Sequence, residues 1–480
     1  MNDRKGFGSN FGFLMAAVGS AVGLGNIWGF PNKMGANGGF PFLILYLALA
    51  LCCGVIIMLG ELALGRKTGH GAVGAYQSIS KRFKWLGWLG IAAAALIFSF
   101  YSALGGYCLR YVVVNFGNLI GAEFGTNGVG GADVFQGLLS QPDVSIAFAL
   151  AFMLITMLVV MCGVGGGIER VCSVGMPALF FILIICIIRS CTLPGAADGL
   201  KYMFVPGWAV ANGIIDEAPG FWRVLTAAGG QMFFSLSLGA GVMITYGSYL
   251  DKKQDLGKST MIIVGMDTVV ALMAGLCVIP GRFALDPNGA LGGPELLFIT
   301  MQNVFDKMGP AGPVFGILFY LLVFFAAISS SISMLEVIVA HFCDKAREKG
   351  KGDRRKLYSA IAVVICAALC ALVCADGMGS NHISPAELLG LAGAKLPGWS
   401  TSWLGLFDSV AEGLLMPLGA LLMCLMISWE LKPDALRQEI LLNGENRPWV
   451  YDFFRLCVKY ITPLCMLMIL YGQISDFFIA

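Results

Sequence analysis

The chain has 480 residues, 58% of them hydrophobic and only 12% charged, with a formal net charge of +2. That balance excludes an ordinary soluble domain and places the chain in the polytopic membrane class. No basic patch with interleaved aromatics is present, so no nucleic-acid partner is expected; the expected partners are a lipid bilayer and a small solute.

Apolar runs predict eleven membrane spans, near residues 11–33 (span 1), 40–65 (span 2), 86–114 (span 3), 146–163 (span 4), 171–190 (span 5), 221–249 (span 6), 258–281 (span 7), 312–342 (span 8), 357–375 (span 9), 407–430 (span 10) and 454–475 (span 11). The apolar run opening span 1 continues too far for a cleavable signal peptide and lacks a small-residue cleavage pattern. At its middle stands Gly19-Ser20-Ala21-Val22-Gly23-Leu24-Gly25-Asn26, three glycines and a polar amide. An unpaired backbone group in hydrocarbon costs several kcal/mol, so such a cluster suggests a helix broken over a cavity where a ligand replaces the lost hydrogen bonds. Fifteen cysteines are scattered, most of them within apolar segments, and no disulfide framework is expected.

Placing the N-terminus in the cytoplasm puts 23 of the 31 lysines and arginines on that side, including the run over 345–356. The loop over 115–145, on the opposite side, has none, as the positive-inside rule requires. An odd number of spans then leaves the C-terminus outside.

Span 6 carries a second polar, glycine-bearing interruption, Gln231-Met232-Phe233-Phe234-Ser235-Leu236-Ser237-Leu238-Gly239-Ala240-Gly241. Spans 1 and 6 each open a set of five, and two successive odd sets enter the membrane from opposite sides. This is the pattern of an inverted repeat, with the paired broken helices pointing to the binding site. The expected organisation is a first repeat over 1–200, a second over 201–432, and span 11 with its preceding cytoplasmic loop over 433–480, all in one integrated transporter domain. Either cluster alone reads as helix packing; two at matching positions read as a site.

The run Gly19 to Asn26, followed by Ile27-Trp28-Gly29-Phe30-Pro31 and Asn37-Gly38-Gly39, closely resembles the opening of the neurotransmitter:sodium symporters. Phe233-Phe234-Ser235-Leu236-Ser237, Gly293-Pro294-Glu295-Leu296-Leu297-Phe298 and Ser329-Ser330-Ser331-Ile332-Ser333 agree in the same order. The resemblance covers essentially the whole chain and is closest to the prokaryotic, eleven-span branch. It implies an all-α polytopic membrane protein of the LeuT fold, with 11 transmembrane helices, a 5+5 inverted repeat and broken helices 1 and 6. The implied location is the cell (inner) membrane of a prokaryote.

Asp267 is the most informative single residue. A mid-span carboxylate costs about 2.5–3.5 kcal/mol and needs a partner, and the central parts of spans 1, 6 and 8 hold no cationic residue. A bound cation or a proton is left. The resemblance implies a first sodium site of Ala21 carbonyl, Asn26, Ser235, Asp267 and the substrate carboxylate. It implies a second, uncharged site from the carbonyls of Gly19, Val22 and Ala326 and the hydroxyls of Ser329 and Ser330. Animal relatives require chloride near the first site; the fixed charge of Asp267 makes chloride independence the expectation here.

For the substrate, the resemblance implies that a carboxylate sits against the Leu24 and Gly25 amides and the Tyr101 hydroxyl. Monoamine transporters of the family carry aspartate at the position of Gly23, so glycine here implies an amino acid. Carbonyls of Ala21, Phe234 and Ser237 take its ammonium group. Ile97, Phe234, Ser237, Ala240, Ser330 and Met334 line the side-chain subsite. None is ionisable, so a charged side chain would be buried unpaired; a large neutral amino acid, aromatic ones included, is expected.

An inner gate of Arg4, Tyr249 and Asp344 is implied on the cytoplasmic side. The outer side departs from the family: Gly29 stands where relatives carry arginine, and Ala411 where they carry its aspartate partner. Closure is then expected from Tyr101 and Phe234, with Gln231, and Asp408 is an alternative partner. Glu61 matches a carboxylate that braces unwound backbone, and a proton relay is the other reading of it. Three histidines without metal-site spacing and no phosphate-cradling loop argue against an enzyme. A channel-like protein and an amino-acid-gated sensor are the alternatives.

Overall fold

The computed structural model describes residues 6–126, 128–291, 293–391, 398–431, 434–441 and 448–478. Among them every regular element is helical, as lipid demands of a chain that satisfies its backbone within each span. Among the described residues nine helices are long and apolar enough to cross a membrane: Phe40–Thr68, Lys81–Ile120, Pro142–Met161, Val164–Cys191, Leu256–Leu285, Gly309–Glu348, Arg355–Gly379, Trp403–Leu431 and Trp449–Ser475. They are spans 2 to 5 and 7 to 11. Span 1 is a pair, Asn10–Ala21 and Gly25–Ala36, bent by 44° at its break. Span 6 is Phe221–Ser235 followed by the short helix Val242–Gly247. These elements are compatible with eleven crossings.

Burial sorts the spans into layers. Spans 4, 5 and 9 are the outer wall, with only 33%, 28% and 33% of their apolar windows buried, against 78% for span 3. Spans 3 and 8 contain 40 residues each. At 1.5 Å rise that is about 60 Å, well beyond the hydrocarbon thickness, so both must tilt or protrude. They pack against each other, and the first half of span 1 lies against spans 5, 7 and 8. The two breaks therefore sit inside the bundle, where irregular backbone is tolerated.

Several spans contain π-helical turns, at Gly25–Gly29, Ala50–Gly54, Val164–Ile168 and Ser409–Leu415. Such turns change helix register and gather at functional sites. Apolar periodicity does not reveal them.

Candidate functional site

Three groups rearrange the backbone at the break in span 1. The Gly23 amide donates to the side-chain Oδ1 of Asn26 (3.0 Å), three residues on. The Leu24 amide donates to the hydroxyl of Tyr101 on span 3 (2.7 Å). The Asn26 amide donates to the Gly23 carbonyl (3.1 Å). Each amide has left its helical partner four residues back, so the carbonyls of Gly19, Ser20 and Val22 are released from the ladder.

Hydroxyls of span 8 face the released carbonyls. Ser330 Oγ lies 3.4 Å from Gly19 O, 3.1 Å from Ser20 O and 3.4 Å from Val22 O. Ser329 Oγ lies 3.4 Å from Val22 O and 3.0 Å from Ala326 O. All five groups expected at the second ion site thus converge. They offer only neutral oxygen donors, the set that suits a hard cation of low charge.

The break in span 6 is more contorted. Ser237 adopts φ 52°, and Gly239 and Gly241 φ 79° and 74°. A left-handed conformation costs a non-glycine residue roughly 1–2 kcal/mol. Ser237 is held there by its hydroxyl, which donates to Ser20 O (3.0 Å) and ties one break to the other. Glu61, fully buried on span 2, accepts the Gly239 amide through Oε1 (2.7 Å). That contact accords with bracing of the unwound backbone.

Asp267 lies where spans 1, 2, 6 and 7 meet, with no solvent exposure. Its Oδ1 accepts from Asn26 Nδ2 (2.8 Å), and its Oδ2 from Ser235 Oγ (2.9 Å) and Tyr46 OH (3.3 Å). Asn26 Nδ2 is also 3.0 Å from Ser235 Oγ. Three neutral donors surround the carboxylate, and among the described residues no ion pair reaches it. Asn26, Ser235 and Asp267 come together as expected. Tyr46 is an addition that the sequence did not single out: it is one aromatic in the apolar run of span 2, and only packing selects the face that bears it.

Gly23 sits directly beneath Tyr101 and Ser330, and a side chain there would collide with both hydroxyls. At Gly25 a Cβ would stand 2.9 Å from the Phe234 ring, so glycine permits the close approach of spans 1 and 6. The Tyr101 and Phe234 rings lie 6.3 Å apart, tilted at 56°. Ile97 and Met334 lie four residues from Tyr101 and Ser330, hence one turn along the same helix faces. These residues, with Ala21, Leu24, Ser237 and Ala240, are all buried.

At the inner end, Arg4 lies outside the described residues. The Tyr249 hydroxyl donates to Oε1 of Glu336 (2.6 Å), eight residues before Asp344 on span 8. Arg355 Nη2 donates to the same oxygen (3.0 Å) and Nη1 pairs with Oε2. Asp344 Oδ2 accepts the Gly71 amide (3.2 Å). Glu169 on span 5 accepts from the Gly8 amide (2.7 Å) and Ser9 Oγ (2.8 Å), pinning the start of span 1. Sequence reasoning missed Glu336, Arg355 and Glu169, which look like ordinary positive-inside charges and their counter-ions until the helices pack.

The outer end also differs. Gly29 and Ala411 carry no charge, as read from the sequence, yet an ion pair is present on this side: Lys33 with Glu412. Gln231 bridges below it, donating through Nε2 to Gly25 O (2.6 Å).

The whole chain can be placed among known proteins. A model of the "Sodium:neurotransmitter symporter family" matches residues 4–127 and 132–478. The chain belongs to this family. It is 36% identical over 477 residues to the uncharacterised sodium-dependent transporter YhdH of Bacillus subtilis, covering 97% of each protein. An uncharacterised sodium-dependent transporter of Methanocaldococcus jannaschii is 29% identical over 495 residues, covering 99% of this chain and 91% of its own. Among solved structures, that of MhsT in complex with L-phenylalanine superposes with a TM-score of 0.83 at 34% identity, covering 98% of this chain and all of MhsT. The symporter family and the LeuT fold expected from the motifs are thereby shown, with broken helices 1 and 6 at their centre.

Proposed function

We propose that this symporter imports a neutral, large hydrophobic or aromatic amino acid, coupled to sodium, by alternating access. One observation carries the reading: two broken spans and span 8 direct released carbonyls, hydroxyls and the Asp267 carboxylate into one buried region containing no cationic side chain among the described residues. Such a region is poorly stabilised without a positive charge, and sodium supplies it.

In this reading Ala21, Asn26, Ser235 and Asp267 hold one sodium, and Gly19, Val22, Ala326, Ser329 and Ser330 a second. The substrate carboxylate completes the first site while accepting from the Leu24 and Gly25 amides and from Tyr101. Its ammonium group meets the carbonyls of Ala21, Phe234 and Ser237, and its side chain fills the space between Ile97, Phe234, Ala240, Ser330 and Met334. MhsT, 34% identical, was solved with L-phenylalanine, which supports an aromatic or large aliphatic side chain. The fixed charge of Asp267 removes the need for chloride. Arg4, Tyr249 and Asp344 close the inner side, together with Glu336 and Arg355.

The test is uptake of radiolabelled phenylalanine into proteoliposomes under an inward sodium gradient, competed by each of the twenty amino acids. Uptake driven by sodium and blocked by large neutral side chains is expected. Uptake indifferent to sodium, or blocked equally by lysine and glutamate, overturns the reading.

A further inference from the structure

With Gly29 and Ala411 in place of the family's outer charges, no ion pair among the described residues spans the passage at that level. One turn further out, two helices are nevertheless tied by charge. Lys33 follows Gly29 by four residues and shares its helix face; it pairs with Glu412 on span 10. The two side chains are 24% and 9% exposed, so water screens their attraction only in part.

The pair rests on span 6. A Cβ at Gly230 would stand 2.7 Å from Glu412 Oε1, 2.9 Å from Gln473 Nε2 and 3.6 Å from Lys33 Nζ. A side chain at 230 would push against the tips of all three, and a bulky one most. Asp408 and Arg223 line the same outer cavity, of about 290 Å³. Beneath lies an uncharged layer. Gln231 is fully buried, with Nε2 on Gly25 O, and a Cβ at Gly29 would stand 2.9 Å from its Oε1. That Oε1 has no hydrogen-bond partner among the described residues, so the amide is anchored from below and faces the space a larger residue at 29 would fill.

We propose that Lys33 and Glu412 are the outer latch of this transporter, a charge pair displaced one turn toward solvent and closing over the Gln231 amide. The proposal rests on the alternating-access reading above. Since the pair joins span 1 to span 10 across Gly230, it must part before a solute in the buried region reaches the outer side.

The test is amide hydrogen exchange, read by mass spectrometry on the purified full chain in sodium without substrate. Lys33→Met and Glu412→Gln should each raise exchange at least about threefold over residues 30–36 and 221–230, the size expected from losing one partly exposed pair. Peptides around Tyr249 and Glu336 should be unchanged. The swapped pair, Lys33→Glu with Glu412→Lys, should return the pattern toward the parent. Gly230→Leu, which forces the pair apart while keeping both charges, should match the single variants. Exchange unchanged in both neutralised variants, raised equally at the two ends, or as fast in the swapped pair as in the single variants overturns the latch. If neither neutralised variant folds, the swapped pair and Gly230→Leu decide. This readout needs no transport, so failed sodium-driven uptake by the parent protein counts against the proposed function alone.

Discussion

In the proposed function a single carboxylate supplies the charge of the first ion site. Asp267 is buried among Asn26, Ser235 and Tyr46, all neutral donors, so its charge is compensated when a cation binds and costly when none does. Asp267→Ala should therefore raise the sodium concentration for half-maximal uptake by about tenfold or more, a change of about 1.4 kcal/mol or above, while leaving the order of preferred amino acids intact. A sodium titration of uptake checks this, and an unchanged midpoint removes Asp267 from the ion site. Its fixed charge also predicts that replacing chloride by gluconate leaves uptake within about twofold of its value in chloride; a large loss refutes that. Tyr101→Phe should weaken substrate binding by about tenfold, the worth of one good hydrogen bond, as seen in sodium-dependent thermal shifts. Gly23 and Asp267 were both legible as residues, because a mid-span carboxylate and a mid-span glycine stand out against an apolar background. Tyr46 was not, because aromatics are common in such spans and no local signal marks the inward face.

At the scale of helices, both breaks exist because local side chains replace the lost ladder. Asn26 caps the Gly23 amide, Tyr101 takes the Leu24 amide, and Glu61 takes the Gly239 amide. The glycine clusters made these breaks legible in advance, since helix packing explains one such cluster but not two at matching positions. Glu61→Gln should lose the charge-assisted half of its bond to Gly239, at a cost of about 1 kcal/mol, and lower the melting temperature by a few degrees; an unchanged melting curve would show that the brace contributes nothing. The π turn over Ser409–Leu415 was not legible. It shifts helix register without changing hydropathy, so no apolar pattern records it.

For the molecule as a whole, the proposed alternating access needs two closures about one buried region. At the inner end Glu336, fully buried, is held by Arg355 and Tyr249. Arg355→Met strands that carboxylate, and breaking a buried pair in this way costs about 3–5 kcal/mol. The expected outcome is a lowered melting temperature together with increased exchange at the inner ends of spans 1 and 8, and an undisturbed inner end rules the network out as part of the gate. Lysine and arginine placement predicts a cytoplasmic N-terminus and an external C-terminus. Tags at the two ends should be cleaved by protease from opposite faces of sealed vesicles, and cleavage from one face alone contradicts the odd number of crossings.

Hydropathy, glycine placement and charge asymmetry act within a few turns of chain, so the amino-acid order alone was enough to indicate the span layout, the two interruptions, the expected orientation and the uncharged lining of the binding region. Pairings between distant helices are another matter. Lys33 with Glu412, Arg355 with Glu336, Glu169 with Ser9 and Tyr46 with Asp267 join residues from 19 to 379 positions apart. Each depends on rotation and register accumulated over many residues, to which π turns and glycine contacts add shifts that no apolar pattern records. Hence the membrane-facing plan was readable in one dimension, whereas the ion pairs at its two ends emerged only once the helices were packed.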